Sequence, residues 1–430
     1  MIGNKIKINR NTAFLYFILF LSAYNDILRF PGTSFSLFRF FQPVTLLFCL
    51  LVSKKCKKVF IIYAIIVIIN FLQSNIFTLT NGIGFKFDFK NFLTFSYYYL
   101  CITTVICVTI TIYEKNEVDF EENFMRFIRN IGRIHLIILF LHGFLRANSN
   151  VILGNINNYG AAVVCICPIY IIRAYQKRKI IDIITCVLCL IALYFGDCKL
   201  SIAGMVFEII LVVLLSLRNK QNESKANLKP LYFVLGFIII LIVYYVLLNN
   251  DMGVSIVYGL TSAINNIRER NYISESTSIA YRTNVVILGL EWLWKTKLLG
   301  IGMGNFGRLV RMKIPYYFEK WTNTNYISPH NAILEMLIEF GPISIVLYYR
   351  IIIRIIKTLK SERTDRNILF LVVFISIWLW ILNPSEILTL YVIWFVLAYL
   401  LIINKNTVDD GNKIERSKGF LNKYKAYYFG

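Results

Sequence analysis

Twelve runs of apolar residues constrain this chain more than any other feature. A helix that crosses a bilayer needs roughly 20 consecutive, mainly apolar residues. The runs fall at about 12–30, 34–52, 58–74, 92–112, 131–146, 159–173, 180–196, 200–217, 230–248, 331–350, 367–383 and 386–403. Several are shorter than the roughly 18 residues that identify a span alone. None shows the two-residue alternation of a barrel strand. Backbone in lipid must satisfy its own hydrogen bonds, so the runs are expected to be helices. The expected fold is an all-α polytopic membrane protein with about twelve transmembrane helices.

Charge gives a sidedness test. Cytoplasmic loops are enriched in Lys and Arg. With the N-terminus inside, most of the 46 basic residues fall into inner segments. These include Lys54, Lys55, Lys57 and Lys58, then Arg126, Arg129 and Arg133, then Arg173, Lys177, Arg178 and Lys179. The reading divides the chain into 1–248 (spans one to nine), 249–330 (a large extracytoplasmic loop), 331–404 (spans ten to twelve) and 405–430 (a basic cytoplasmic tail). Both termini are expected in the cytoplasm. The first span has a basic start like a signal peptide, but Asn25, Asp26 and Arg29 follow it rather than a small-residue cleavage site, so it reads as an anchor.

Composition excludes other classes. The chain is 57% hydrophobic and 16% charged, which is incompatible with disorder. Nine Cys in 430 residues do not make a disulfide scaffold. Cys165, Cys167, Cys186 and Cys189 lie in apolar runs and read as packing residues rather than metal ligands. The formal charge of +22 first suggests a nucleic-acid partner. Its placement in inner loops explains it by topology, and no nucleic acid is expected.

The long loop is where chemistry is expected, because structureless loops of this length are unusual. A helix is predicted from near Ser276 through Arg282 to Lys297, with Val286, Leu290, Leu293 and Trp294 able to rest on a membrane surface. The stretch Gly300-Ile301-Gly302-Met303-Gly304-Asn305-Phe306 follows. No strand precedes it, so a dinucleotide loop is rejected. Arg268, Arg270, Arg282, Arg308, Arg311, Lys313 and Lys320 gather here against the positive-inside bias. Either they bind an anion such as phosphate, or they are solvated or meet lipid headgroups. His330, between Pro329 and Asn331, is either a proton acceptor or a packing residue at a helix start. His135 and His142 are seven apart on one face of the fifth span, and face the bundle interior or relay protons. Glu208, mid-span, requires an interior partner or a substrate contact.

Three stretches together carry a resemblance. Tyr281-Arg282-Thr283, the Gly300–Phe306 turn, and Pro329-His330-Asn331 running through Leu334 and Glu339 to Gly341 resemble the O-antigen ligase and O-antigen polymerase superfamily. Gly154–Gly160, with Asn158, looks like the family's Gly/Asn loop. Gly196-Asp197-Cys198-Lys199 falls where many members have Ser-Arg, and a Lys cannot make the bidentate fork of Arg. The resemblance implies a fold like the membrane-embedded C-type glycosyltransferases, in a bacterial inner membrane. It implies metal-independent transfer of a glycan from undecaprenyl diphosphate, with no cofactor. His330 would be the base, and Arg282 would stabilise the leaving diphosphate, with Lys199, Arg308 and Arg311 behind it. Asn158, Asn331 and Glu339 would serve substrate binding or, for the last two, orient His330 or cap a helix. The implied partners are the lipid-linked oligosaccharide, the bilayer, and chain-length regulator and flippase proteins. Polymerase, ligase and lipid-linked oligosaccharide flippase remain the three functions to compare, with polymerase preferred because the motifs are only loosely kept.

Overall fold

The computed structural model describes residues 10–30, 35–145, 156–177, 180–196, 198–223, 261, 264–265, 268, 278–313, 331–361, 364–380, 388 and 390–404. The chain forms α1 (Arg10–Ala23), α2 (Leu37–Val52), α3 (Lys54–Thr80), α4 (Phe89–Lys115), α5 (Phe120–Leu145), α6 (Ile156–Lys177), α7 (Ile180–Phe195) and α8 (Lys199–Glu223). After these come α9 (Ser278–Lys295), α10 (Asn305–Lys313), α11 (Ala332–Phe340), α12 (Pro342–Lys360), α13 (Asp365–Trp380) and α14 (Tyr391–Asn404). The described residues contain no strand. The predicted ninth span and His330 lie outside them, as do Arg270 and Lys320.

Among the described residues, three helices, α3, α4 and α6, are long and apolar enough to cross a membrane. The 27 residues of α3 rise about 40 Å, more than the roughly 30 Å hydrocarbon core. Its side chains are sorted for lipid. Ile61, Ile65, Ile68, Leu72 and Ile76 are exposed, whereas Asn70 and Ser74 are fully buried. A helix in water would reverse this arrangement. Its start is set by Ser53, whose hydroxyl accepts from the Cys56 N–H at 3.1 Å.

The bundle packs around α6, which touches α5, α7, α8 and α13, while α4 joins α1, α2 and α3. The apolar run 131–146 is only the later part of α5. Phe120, Phe124, Ile128 and Ile131 extend its buried stripe back past Glu121, Glu122 and Arg126. At the far end of α6, buried Asp182 accepts from Arg173 Nε at 3.0 Å, with Arg129 Nη1 at 3.9 Å. Glu208 finds an interior partner in Ser376, whose hydroxyl donates to Oε1 at 2.7 Å. The nine cysteines are free thiols.

The sequence predicts one helix over 331–350, and the structure breaks it at Gly341. There φ is +54°, and an added Cβ would lie 2.5 Å from the Leu298 carbonyl oxygen. Pro342 follows, suited to a helix start because it has no N–H to continue the preceding one. The nine residues of α11 rise about 13 Å, too short to cross, and they pack against α9 and α10 instead.

Candidate active site at a glycine-rich turn

The amphipathic helix α9 buries Tyr281, Val285, Leu288 and Trp292 along one face. These join Phe77, Phe85, Ile301, Phe306, Leu309, Leu334 and Ile338 in a small core separate from that of the main bundle. Leu290 is exposed on the other side, and Trp294 is 86% exposed. The helix crosses α11 at Gly289, where a Cβ would meet Leu334 Cδ2 at 2.5 Å. Arg282, adjoining buried Tyr281, is half-buried on this helix.

Leaving α9, Lys297 and Leu298 hold φ of 50° and 60°, a left-handed conformation unfavourable for residues with a Cβ. Gly300, Gly302 and Gly304 follow at φ +86°, +87° and +72°. Glycine is needed here for conformation and for space. A Cβ on Gly302 would lie 1.8 Å from Ser74 Oγ, and one on Gly304 would lie 2.5 Å from Phe95 Cδ2.

The turn satisfies helix-end groups that would otherwise lack partners. The N–H groups of Ile301 and Gly302 donate to the Ile338 and Glu339 carbonyls, both at 2.9 Å. The Glu339 carboxylate is fully buried and accepts from the Phe306 N–H at 3.1 Å, with the amides of Gly304 and Asn305 also facing it. An acid at the start of α10 is favoured by the helix dipole. The long apolar helix α3 and the start of α4 grip the turn as well. Gln73 Nε2 donates to the Leu299 carbonyl at 2.7 Å, Asn91 Nδ2 to that of Gly304 at 2.7 Å, and Asn305 Nδ2 to Ser74 Oγ at 3.1 Å.

The other candidates divide. Asn331 caps α11, its Oδ1 accepting from the Leu334 N–H at 3.0 Å. Arg308 lies over the Phe85 ring, 4.6 Å from its centroid, with Nε 3.9 Å from Asp88 Oδ2. Burial pulls its pKa below the ordinary value, and Asp88 opposes this. Arg311 is half-buried in the last turn of α10. Thus Arg282, Arg308, Arg311, Asn331 and Glu339 share the α9–α11 unit. Asn158 is buried in a different group beside His135 and Tyr159. Lys199 begins α8, and its side chain is outside the described residues.

Sequence reasoning missed Gln73, Ser74 and Asn91. The available signal was Asn70, Gln73 and Ser74, polar residues at helical spacing in an apolar span. Among the described residues, no three His, Cys, Asp or Glu side chains are grouped to hold a metal. Chemically, the unit presents guanidinium groups suited to phosphate oxygens.

Residues 184–349 match the family model for O-antigen ligase, a segment running from α7 into α12. The match supports the O-antigen ligase and polymerase superfamily, and with it a membrane glycosyltransferase-like activity at a coarse level. Neither the curated proteins nor the solved structures contain a match to this chain.

Proposed function

Taking residues 184–349 as an O-antigen ligase domain, we propose that this chain is a polysaccharide repeat-unit polymerase. It transfers a glycan from undecaprenyl diphosphate to another lipid-linked unit at the outer face of a bacterial inner membrane. The chain crosses that membrane about twelve times with both ends in the cytoplasm, as the Lys and Arg alternation requires.

The reaction exchanges one bond at the anomeric carbon. The acceptor hydroxyl forms the new C–O bond as the C–O bond to diphosphate breaks. The bonding electron pair leaves on the diphosphate oxygen, and the hydroxyl proton passes to His330. Arg282 stabilises the developing negative charge, an electrostatic role that is commonly the largest catalytic contribution. Arg311, Arg308 and Lys199 add positive field. Asn331 and Glu339 hold the local frame, and Asn158 contacts the glycan.

The observation that carries this reading is a coincidence within the matched segment. Arg282 lies on α9, α9 is pinned across α11 at Gly289, and α11 begins two residues after His330. A second reading, ligation of the glycan to lipid A-core, is favoured by the match to an O-antigen ligase family.

Deletion of the chain separates the readings. Single repeat units on lipid A in the deletion strain support the polymerase. Long polymer stranded on undecaprenyl diphosphate supports the ligase. Precursor trapped at the inner leaflet, or an unchanged glycan profile, overturns both. His330→Ala is expected to insert normally and abolish chain extension, and a full glycan ladder from that variant sinks the base assignment.

A further inference from the structure

A second group of polar side chains is built from four distant stretches of chain. Asn25 and Asp26 follow α1, His135 comes from α5, Asn158 and Tyr159 open α6, and Tyr391 opens α14. They line a narrow crevice. Ionisable and polar groups within a membrane bundle are costly and mark functional sites by default.

Two histidines flank one tyrosine. The Tyr159 ring centroid is 5.6 Å from that of His135 and 5.8 Å from that of His142. His135 Nδ1 lies 2.9 Å from the Ile131 carbonyl. An N–H must face that oxygen, so the neutral ring keeps Nε2 as an acceptor. His142 is 2% exposed, and among the described residues neither of its ring nitrogens has a hydrogen-bond partner. A buried polar group left in this state costs about 1–3 kcal/mol, so a His retained there calls for a ligand or ordered water.

The chemistry of the group points away from phosphate. Asp26 is ion-paired with Arg29, and Asn25 Oδ1 accepts from the Ser36 hydroxyl at 2.5 Å. Among the described lining residues, what remains is a charge-balanced mixture of donors and acceptors beside aromatic faces. That mixture suits an uncharged, hydroxyl-rich ligand. A diphosphate would require surplus cations.

A row of side chains also leads from the glycine turn toward the crevice. The Phe95 ring packs on Gly304, and its centroid is 5.8 Å from that of Tyr98. The Arg39 guanidinium lies over Tyr98 at 5.4 Å and is electrostatically coupled to Tyr391.

We propose that this crevice, with room for about one water-sized group, is a second substrate subsite, which takes a single hydroxyl of a sugar unit of the acceptor glycan. The proposal rests on the glycosyl-transfer reading above. It separates recognition of sugar, at α1, α5, α6 and α14, from recognition of diphosphate, at α9–α11.

The test uses the full chain in nanodiscs. One probe is the repeat-unit oligosaccharide released by hydrolysis from the glycan of the producing cell, and the other is inorganic diphosphate. Asn158→Ala and His142→Phe are expected to weaken oligosaccharide binding at least tenfold and leave diphosphate binding unchanged. His142→Phe keeps the ring shape and removes both nitrogens, so it guards against misfolding. Arg282→Ala should do the reverse. Wild-type binding of the oligosaccharide by a folded His142→Phe variant overturns the subsite. So does failure of the wild-type protein to bind the oligosaccharide while it still binds diphosphate and sustains transfer. If transfer itself is absent from the wild-type protein, the underlying glycosyl-transfer reading fails instead.

Discussion

Glu339 clasps the segment containing Phe306 with both of its oxygen-bearing groups. Its carboxylate accepts from the Phe306 N–H at 3.1 Å, and its main-chain carbonyl accepts from the Gly302 N–H at 2.9 Å. One residue at the end of α11 thereby terminates its own helix and starts α10. Glu339→Ala removes the side-chain half and leaves buried amides without an acceptor. A loss of about 1–3 kcal/mol is expected for such a group. Glu339→Gln keeps one acceptor oxygen and should lose less. Thermal unfolding of the purified protein in detergent measures both, and equal melting of wild type and Glu339→Ala would rule out the clasp.

The glycine turn offers a control within the same chain. Gly302 and Gly82 both hold positive φ, at +87° and +63°. A Cβ on Gly302 would strike Ser74 Oγ at 1.8 Å, whereas one on Gly82 would meet nothing within 4 Å. Gly82→Ala should therefore cost about 1–2 kcal/mol from conformation alone. Gly302→Ala adds a steric clash and should greatly reduce folded yield. Ser74→Gly should rescue Gly302→Ala only in part, because the φ penalty remains. Comparable yields for the two single variants, quantified by in-gel fluorescence of a fused reporter, would contradict the close approach.

How much of this was legible in the sequence follows from what each feature needs. The helix expected from Ser276 to Lys297 is observed as Ser278–Lys295, because its amphipathic spacing is local. The glycine turn was visible as a pattern, and its partners were not. Gln73 donates to a carbonyl 226 positions away, and a hydrophobic run does not reveal which polar residue it will grip. The break at Gly341 was hidden for the same reason. Residues 331–350 read as one apolar segment until Leu298 and Gly300 are brought against it. His135 and His142 were legible as a pair on one helical face and Asn158 as part of a separate loop, and their convergence on Tyr159 required the fold.

Arg308 and Arg282 should fail in different ways. Arg308 is held by the Phe85 ring and by Asp88, so it braces α10 against the α3–α4 connection. Arg308→Ala should lower stability by about 1 kcal/mol through lost cation–π and ion-pair contacts, and transfer should persist in part. Arg282→Ala should abolish transfer even in the protein that remains folded. The two quantities are read on the same preparations, by unfolding and by extension of lipid-linked glycan. Equal loss of transfer, or the reverse order, would remove Arg282 from its assigned role.

The far end of the bundle supplies the last expectation. Asp182 is fully buried, and it is the shared carboxylate for Arg173 at 3.0 Å and Arg129 at 3.9 Å. It joins α7 to α6 and α5 where those helices pack. Asp182→Ala would leave two cations crowded together in a largely desolvated place. Breaking a buried pair in this way costs about 3–5 kcal/mol, enough to remove most folded protein. The exposed pair of Arg126 and Glu122, one helical turn apart at 3.0 Å, is the comparison. Glu122→Ala should change stability by less than about 1 kcal/mol, because solvent screens that pair. Size-exclusion profiles of the two detergent-solubilised variants decide the matter: a monodisperse Asp182→Ala protein melting with wild type would show that the buried carboxylate does not hold these helices together.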